Sequence, residues 1–217
     1  MKNYDVIVIG AGHAGVEAAI ASDRIGAKTA LVSFSKDDLG IMSCNPAMGG
    51  LGKGHLIREI DAMGGVIGRA SDSSGIQFRM LNKTRGEAVQ GPRAQIDREK
   101  YKKNIRFFVK ESGVEILESE VKNIITTKKA GGAYVQGIET STLGKIFCKA
   151  LIVTTGTFLS GVIYRGPDKW QAGRLNSKPS MDLASFLKNE NFKMYRLKTG
   201  TPPRIDGNSI DYSKCVV

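Results

Sequence analysis

The chain has 217 residues, 41% hydrophobic and 24% charged, which suits one sizeable domain or one domain with part of another. Its formal net charge of +11 points to a polyanionic partner such as a nucleic acid, an anionic lipid or a nucleotide, weighed against the plainer reading of a lysine-rich solvated surface. Three cysteines without a CxxC pair argue against a disulfide framework or a metal site, and no apolar run approaches membrane-spanning length.

Residues 4–10, YDVIVIG, form a short apolar run of the kind found in buried parallel strands. The N-terminus enters this strand directly, without a signal or transit layout. Gly10, Gly12 and Gly15 follow in GxGxxG spacing, and Val16, Ala19, Ile20 and Ile25 recur at helical spacing up to Gly26. Gly10 makes the tight turn, Gly12 lets a pyrophosphate approach the backbone, and Gly15 lets helix and strand pack closely. The helix N-terminus then offers free N–H groups to an anion. Such a loop after an N-terminal strand predicts a dinucleotide site formed by Gly10, Ala11, Gly12, His13, Ala14 and Gly15. A second strand, KTALVSF, ends without the acidic residue that usually holds a ribose; Ser33 stands near that place, and Asp37 and Asp38 read as loop residues.

Residues 43–65, SCNPAMGGLGKGHLIREIDAMGG, combine Cys44, a glycine-dense loop and a helix opening at Lys53. Further on, GPRAQIDREKYKKNIRFFVKESG reads as a helix that starts at Pro92 and stops at Gly113. Residues 79–106 carry nine Lys/Arg against three Asp/Glu. VEILESEVKNIITT reads as one or two strands, and GGAYVQGIETSTLGKIFCKA as a meander with turns at Gly137 and Gly144. KALIVTTGTFL reads as a further buried strand. A helix is expected from about Pro179, with Leu183, Phe186 and Leu187 on its apolar side, and then irregular structure around Pro202 and Pro203.

This order is similar to that of two-dinucleotide-binding-domain flavoproteins, a resemblance that implies an α/β, Rossmann-like FAD-binding domain with a β-meander. Residues 1–160 are expected to form the first part of that domain, and 161–217 the start of an inserted or substrate domain. The strand and helix that usually complete the flavin cover are missing from the pattern, so the chain reads as an N-terminal portion.

The loop SCNPAMGGLGKGH, with GIQFRMLN, GPRAQIDR, AGR and RLKTGTPPRIDG, closely resembles the MnmG (GidA) family of flavoenzymes, which install a 5-carboxymethylaminomethyl group on uridine in tRNA. Folate-dependent tRNA methyltransferases share the glycine motif but not the SCNPAMGG loop, and rank second. A truncated, non-catalytic nucleotide- or RNA-binding module is the other alternative. The resemblance implies FAD as cofactor, NADH as reductant and methylenetetrahydrofolate as one-carbon donor. It also implies tRNA as substrate, an MnmE-type GTPase partner, a homodimer in the full-length form and a cytoplasmic location. Cofactor contacts by Val121, Gly156 and Ser180 follow from it as well, and Asn45 either bonds the flavin edge through its amide or forms a turn. GRLNSKPS departs from the family's commoner acidic-proline pattern by placing Lys178 before Pro179.

Cys44 is the candidate nucleophile, because carbon 5 of uracil reacts only after addition to carbon 6; the plain alternative is a small packing residue. Lys53 would hold an anion beside it, with a structural salt bridge to Glu59 or Asp61 as the alternative. His55 is a weaker proton-shuttle candidate. Arg58, the basic stretch with Arg93 and Arg98, and the group Arg196, Lys198 and Arg204 are candidate phosphate contacts. With 7% aromatic residues, no base-stacking platform is visible in the sequence.

Overall fold

A computed structural model describes residues 2–200 and 205–215; Pro202, Pro203 and Arg204 lie outside the described residues. The first apolar run forms β1 (Asn3–Ile9), and the glycine loop leads into α1 (His13–Arg24). Gly26, at φ +87°, adopts the left-handed conformation that ends α1 and turns the chain into β2 (Thr29–Ser33). Every residue of β2 is buried, as expected of a strand covered on both faces. Ile25, by contrast, is exposed beyond the end of α1 rather than part of its apolar face.

The segment after β2 builds a separate layer. β3 (Ala47–Gly49), α2 (Lys53–Ala62), α3 (Ile67–Ser74), β4 (Gly75–Leu81), β5 (Gly91–Ile96) and α4 (Arg98–Glu111) follow in order. The strands make a small antiparallel sheet in the order β3-β5-β4. The helix expected from Pro92 starts six residues later. Pro92 belongs to β5, beyond the three residues that pair with β3, where a missing donor is tolerated. Asp97 is the N-cap of α4; its carboxylate accepts from the N–H groups of Glu99 and Lys100 at 3.0 and 3.1 Å. That cap satisfies two orphan donors, which a proline start leaves open. Ala94 and Arg93 therefore lie on a strand, not on the helix.

The chain then forms β6 (Glu115–Glu118), β7 (Val121–Lys129), β8 (Gly132–Thr140) and β9 (Gly144–Val153). Gly137 is not at a turn. It lies inside β8 opposite Phe147, where a side chain would run into the Ile146 carbonyl. The turn is at 141–143. The meander and the expected further strand are one element: the first part of β9 pairs antiparallel with β8 and the rest pairs parallel with β1. Phe147 is the handover, opposite both Gly137 and Asn3. The result is a single six-stranded sheet, β6-β2-β1-β9-β8-β7, parallel on one side and antiparallel on the other.

Alternation along the strands feeds two cores. Val8 and Leu31 face α1 and α4 together with Val16, Ile20, Tyr101 and Ile105. Ile7, Ile9 and Val32 face the other way, with Ile124, Ile138 and Leu183. Leu183 belongs to α5 (Asp182–Asn189), which follows the hairpin of β10 (Val162–Arg165) and β11 (Asp168–Gln171). Phe186 and Leu187 pack against this second core, as the sequence pattern predicts. The architecture is α/β with a Rossmann-like FAD-binding fold. Its ligand crevice falls at the carboxyl ends of β1, β2 and β9, where the connections leave β1 in opposite directions.

Candidate functional site

An open cleft with a volume of about 120 Å³ lies at those strand ends. The three ends are stitched together: Gly10 N–H donates to Val32 O and Thr154 N–H to Ile9 O, each at 2.8 Å. The Thr154 hydroxyl also donates to Ile9 O at 2.8 Å and Gly10 O at 3.1 Å. This tight knot is why two of the glycines are needed. Gly10 has φ +106°, and a Cβ there would sit 2.5 Å from Thr154 O. A Cβ on Gly15 would collide with the Gly10 carbonyl. Gly12 differs: a Cβ there meets no protein atom within 4 Å, so its bareness serves the cleft and not the fold. Gly12 is also the N-cap of α1, without a side-chain cap, so the first-turn N–H groups of α1 are left to a ligand. The residues present therefore fit a dinucleotide pyrophosphate.

Gly10, Ala11, Gly12, Ser33, Val121, Gly156 and Ser180 all line this cleft, from five separate parts of the chain. His13, Ala14, Gly15 and Asn45 do not. His13 turns inward, with Nδ1 3.2 Å from the Tyr101 hydroxyl and the rings in an edge contact. Burial, and then the charge of Lys53, hold His13 down to about 4, so it is neutral near pH 7.

Two acidic residues reach the cleft although β2 ends without one. They are Asp38, from the 3-10 turn Lys36–Asp38, and Glu120. Asp38 pairs with Arg174 at 2.5 Å, across 136 residues, and both are largely enclosed. Arg174 also lies over the Phe158 ring, 5.6 Å from its centroid, and Phe158 packs on Phe34 at 5.7 Å. Asp38, Arg174, Phe34, Phe158 and Thr154 are lining residues that sequence reasoning did not select. Only the AGR fragment carried a signal for one of them.

The thiol loop lies beside the cleft, with Ser43 in its lining and Cys44 next in the chain. β3 and β5 pair behind it, and Arg98, the first residue of α4, donates to the Cys44 carbonyl at 2.6 Å. The Cys44 Sγ is 3.8 Å from the Gly200 carbonyl, so SCNPAMGG and RLKTG meet in space. Lys53 opens α2 as expected and turns its ammonium back toward Ala47 O at 3.4 Å. Its pKa is lowered, by desolvation first and then by Arg93, while the charge of Cys44 acts in the opposite sense. Cys44 and Lys53 are thus within electrostatic reach of each other.

The remaining candidates scatter. Cys148 is buried in β9, and burial raises its thiol pKa; Cys215 is exposed near the chain end. The three cysteines form no disulfide with one another. His55 Nε2 lies 3.1 Å from Ala88 O. Lys53 and Arg58 make no ion pair with Glu59 or Asp61 among the described residues. A support residue the sequence did not flag is Glu17 on α1. Its buried carboxylate accepts from the N–H groups of Val66 and Ile67 at 2.8 and 2.6 Å, capping α3. No described helix is long and apolar enough to cross a membrane.

A glycine-turn cleft at the switch point of a mixed sheet, with a meander alongside, defines a dinucleotide-binding protein of the Rossmann-like flavoprotein class. The family model described as "Glucose inhibited division protein A" matches residues 5–217, and the chain belongs to this GidA family. It is 46% identical over 97% of its length to the tRNA uridine 5-carboxymethylaminomethyl modification enzyme MnmG of Sulfurihydrogenibium sp. (strain YO3AOP1), covering 34% of that relative. Against the same-named enzyme of Granulibacter bethesdensis it is 50% identical over 95% of the chain and 33% of the relative. The solved structure of Aquifex aeolicus GidA superposes with a TM-score of 0.88 at 46% identity, over 98% of this chain and 35% of that one. The chain therefore spans about a third of the length of these relatives. The GidA-related protein of Thermus thermophilus, at 17% identity and a TM-score of 0.60, shares the fold.

Proposed function

We propose that this chain is the FAD-binding portion of an enzyme that adds a carboxymethylaminomethyl or aminomethyl group to carbon 5 of the wobble uridine of certain tRNAs. The observation that carries this reading is the 46–50% identity, over nearly the whole chain, to relatives named for that modification. In this reading the α1 N-terminus at Gly12 would hold the pyrophosphate of FAD, and Ser33, Val121, Gly156 and Ser180 would hold the rest, with Asn45 as a further contact through its amide. When bound, the flavin supplies the redox capacity of the reaction, with NADH as reductant. Methylenetetrahydrofolate supplies the one-carbon unit, an MnmE-type GTPase is the partner, and the longer form is a cytoplasmic homodimer. Residues 1–160 act as the cofactor domain and 161–217 begin the inserted one.

The chain's own chemistry centres on Cys44. Its thiolate adds to carbon 6 of the uracil, which turns carbon 5 into a nucleophile. The Lys53 cation, within electrostatic reach of Cys44, would favour the enolate that forms on the base. Arg98 fixes the loop by its backbone, so the sulfur stays in place. Cys44→Ser exchanges one atom and should leave the fold and the flavin intact. In a relative-length enzyme with its GTPase partner it should abolish the modified nucleoside, read by mass spectrometry of tRNA from cells carrying only this variant. Normal levels of modified uridine would remove Cys44 from the mechanism.

A further inference from the structure

After α5 the chain runs through residues 190–200 without helix or strand, and every one of these residues is exposed. Phe192 is 61% and Tyr195 82% exposed, which is unusual for rings that normally seek a core. Lys193, Arg196 and Lys198 alternate with them, and 191–200 contain no acidic residue. Lys193 and Lys198 make no ion pair among the described residues. The run is nevertheless held in place. Arg196 donates to the Ser160 carbonyl at 2.7 Å, and the Gly200 carbonyl sits 3.8 Å from Cys44 Sγ. Tyr195 and Gly200 are five positions apart, a reach of at most about 18 Å.

Exposed rings interleaved with unpaired cations are the means by which proteins hold single-stranded nucleic acid: bases stack on the rings and phosphates lie on the cations. A duplex hides its base faces and gains only the charge term. We infer that residues 192–198 are a docking strip for a single-stranded RNA loop, in which Phe192 and Tyr195 stack bases, Lys193 and Lys198 hold phosphates, and the far end delivers a base to Cys44. This inference rests on the reading that Cys44 meets a uridine. It adds to that reading the surface that grips the flanking nucleotides. The sequence hid this platform, because the total of aromatic residues is low and says nothing of where they are exposed.

The test uses the 217-residue chain and two RNA probes in fluorescence anisotropy: an anticodon stem-loop with uridine at the wobble position, and a fully paired duplex of equal length. The stem-loop should bind more tightly than the duplex. Tyr195→Ala and Phe192→Ala should each weaken stem-loop binding about 5- to 100-fold, while Tyr195→Phe keeps it. Lys193→Gln with Lys198→Gln should reduce the slope of log affinity against log salt by about 1.4. A photoreactive 4-thiouridine at the wobble position should crosslink to peptides containing Cys44 or residues 192–200.

Four results would overturn the strip: equal binding of the duplex, loss in Tyr195→Phe equal to that in Tyr195→Ala, crosslinks confined elsewhere, or no RNA binding, which would leave these residues as a seat for further polypeptide. The two readings separate cleanly. A stem-loop bound independently of Tyr195 sinks the strip and spares the tRNA reading. Tyr195-dependent binding that is indifferent to loop sequence supports the strip and counts against tRNA selectivity.

Discussion

The Arg98 guanidinium donates to the Cys44 carbonyl oxygen at 2.6 Å, joining the first turn of α4 to the thiol loop across 54 residues. A charge-assisted bond of this kind is worth about 1.5–3 kcal/mol when partly shielded from water. Arg98 was expected among phosphate contacts; the structure gives it a structural partner instead, and places Arg93 on β5. Arg98→Met should therefore loosen the loop and speed alkylation of Cys44 by iodoacetamide several-fold relative to Cys215, with peptide mass spectrometry reading each site. Arg98→Lys should fall between. An unchanged rate in Arg98→Met would show that the loop holds its shape without this bond.

The cleft glycines make separable predictions. Gly12→Ala meets no protein atom, so the fold and thermal midpoint should hold while flavin, measured by absorbance after gel filtration, is lost. Gly15→Ala drives a methyl group into the Gly10 carbonyl and should destabilise the fold itself, by about 1–3 kcal/mol or more. Flavin retained in full by Gly12→Ala would count against the pyrophosphate seat. Equal destabilisation by both would show that Gly12 is structural.

Much of this arrangement is legible from sequence because it rests on local rules. The GxGxxG turn, the buried β2 and the Lys53 helix start each follow from spacing and composition within a dozen residues. What escaped depends on long-range partners. Nothing local says that Pro92 joins a strand paired with β4, or that β9 passes from an antiparallel partner, β8, to a parallel one, β1, at Phe147 within one sheet. Asp38 reads as loop until Arg174 arrives from 136 residues away to place it in the cleft. β2 ends at Ser33 without an acidic residue. That Asp38 and Glu120 reach the same cleft from other segments could not be read at all.

Glu17 illustrates a support role with no sequence signature. Its carboxylate takes the two N–H groups that open α3, in a buried setting where water cannot replace it. Glu17→Ala leaves those donors without an acceptor and should cost about 2–3 kcal/mol. Glu17→Gln keeps an acceptor oxygen and should cost less. Urea titration of the three proteins checks this through the midpoints. Equal midpoints for Glu17→Ala and the parent would mean that α3 is capped some other way.

His13 should make stability fall on acidification in a defined window. Burial beside Tyr101, with the Lys53 charge nearby, lowers its pKa from 6.5 to about 4 in the folded chain. The unfolded chain therefore binds a proton first. Above pH 6.5 neither state is protonated and the contribution is complete. Between 6.5 and about 4 only the unfolded state takes up the proton, so stability drops as pH falls. Below that range both states are protonated and the slope ends. The full drop from this group is on the order of 3 kcal/mol. His13→Gln keeps a hydrogen-bonding partner for the Tyr101 hydroxyl but does not titrate. The difference in unfolding free energy between parent and variant, measured at intervals from pH 7.5 to 4, should shift steadily in the variant's favour as pH falls through 6. A difference that stays constant over that range would mean that His13 is protonated as readily in the folded chain as in water.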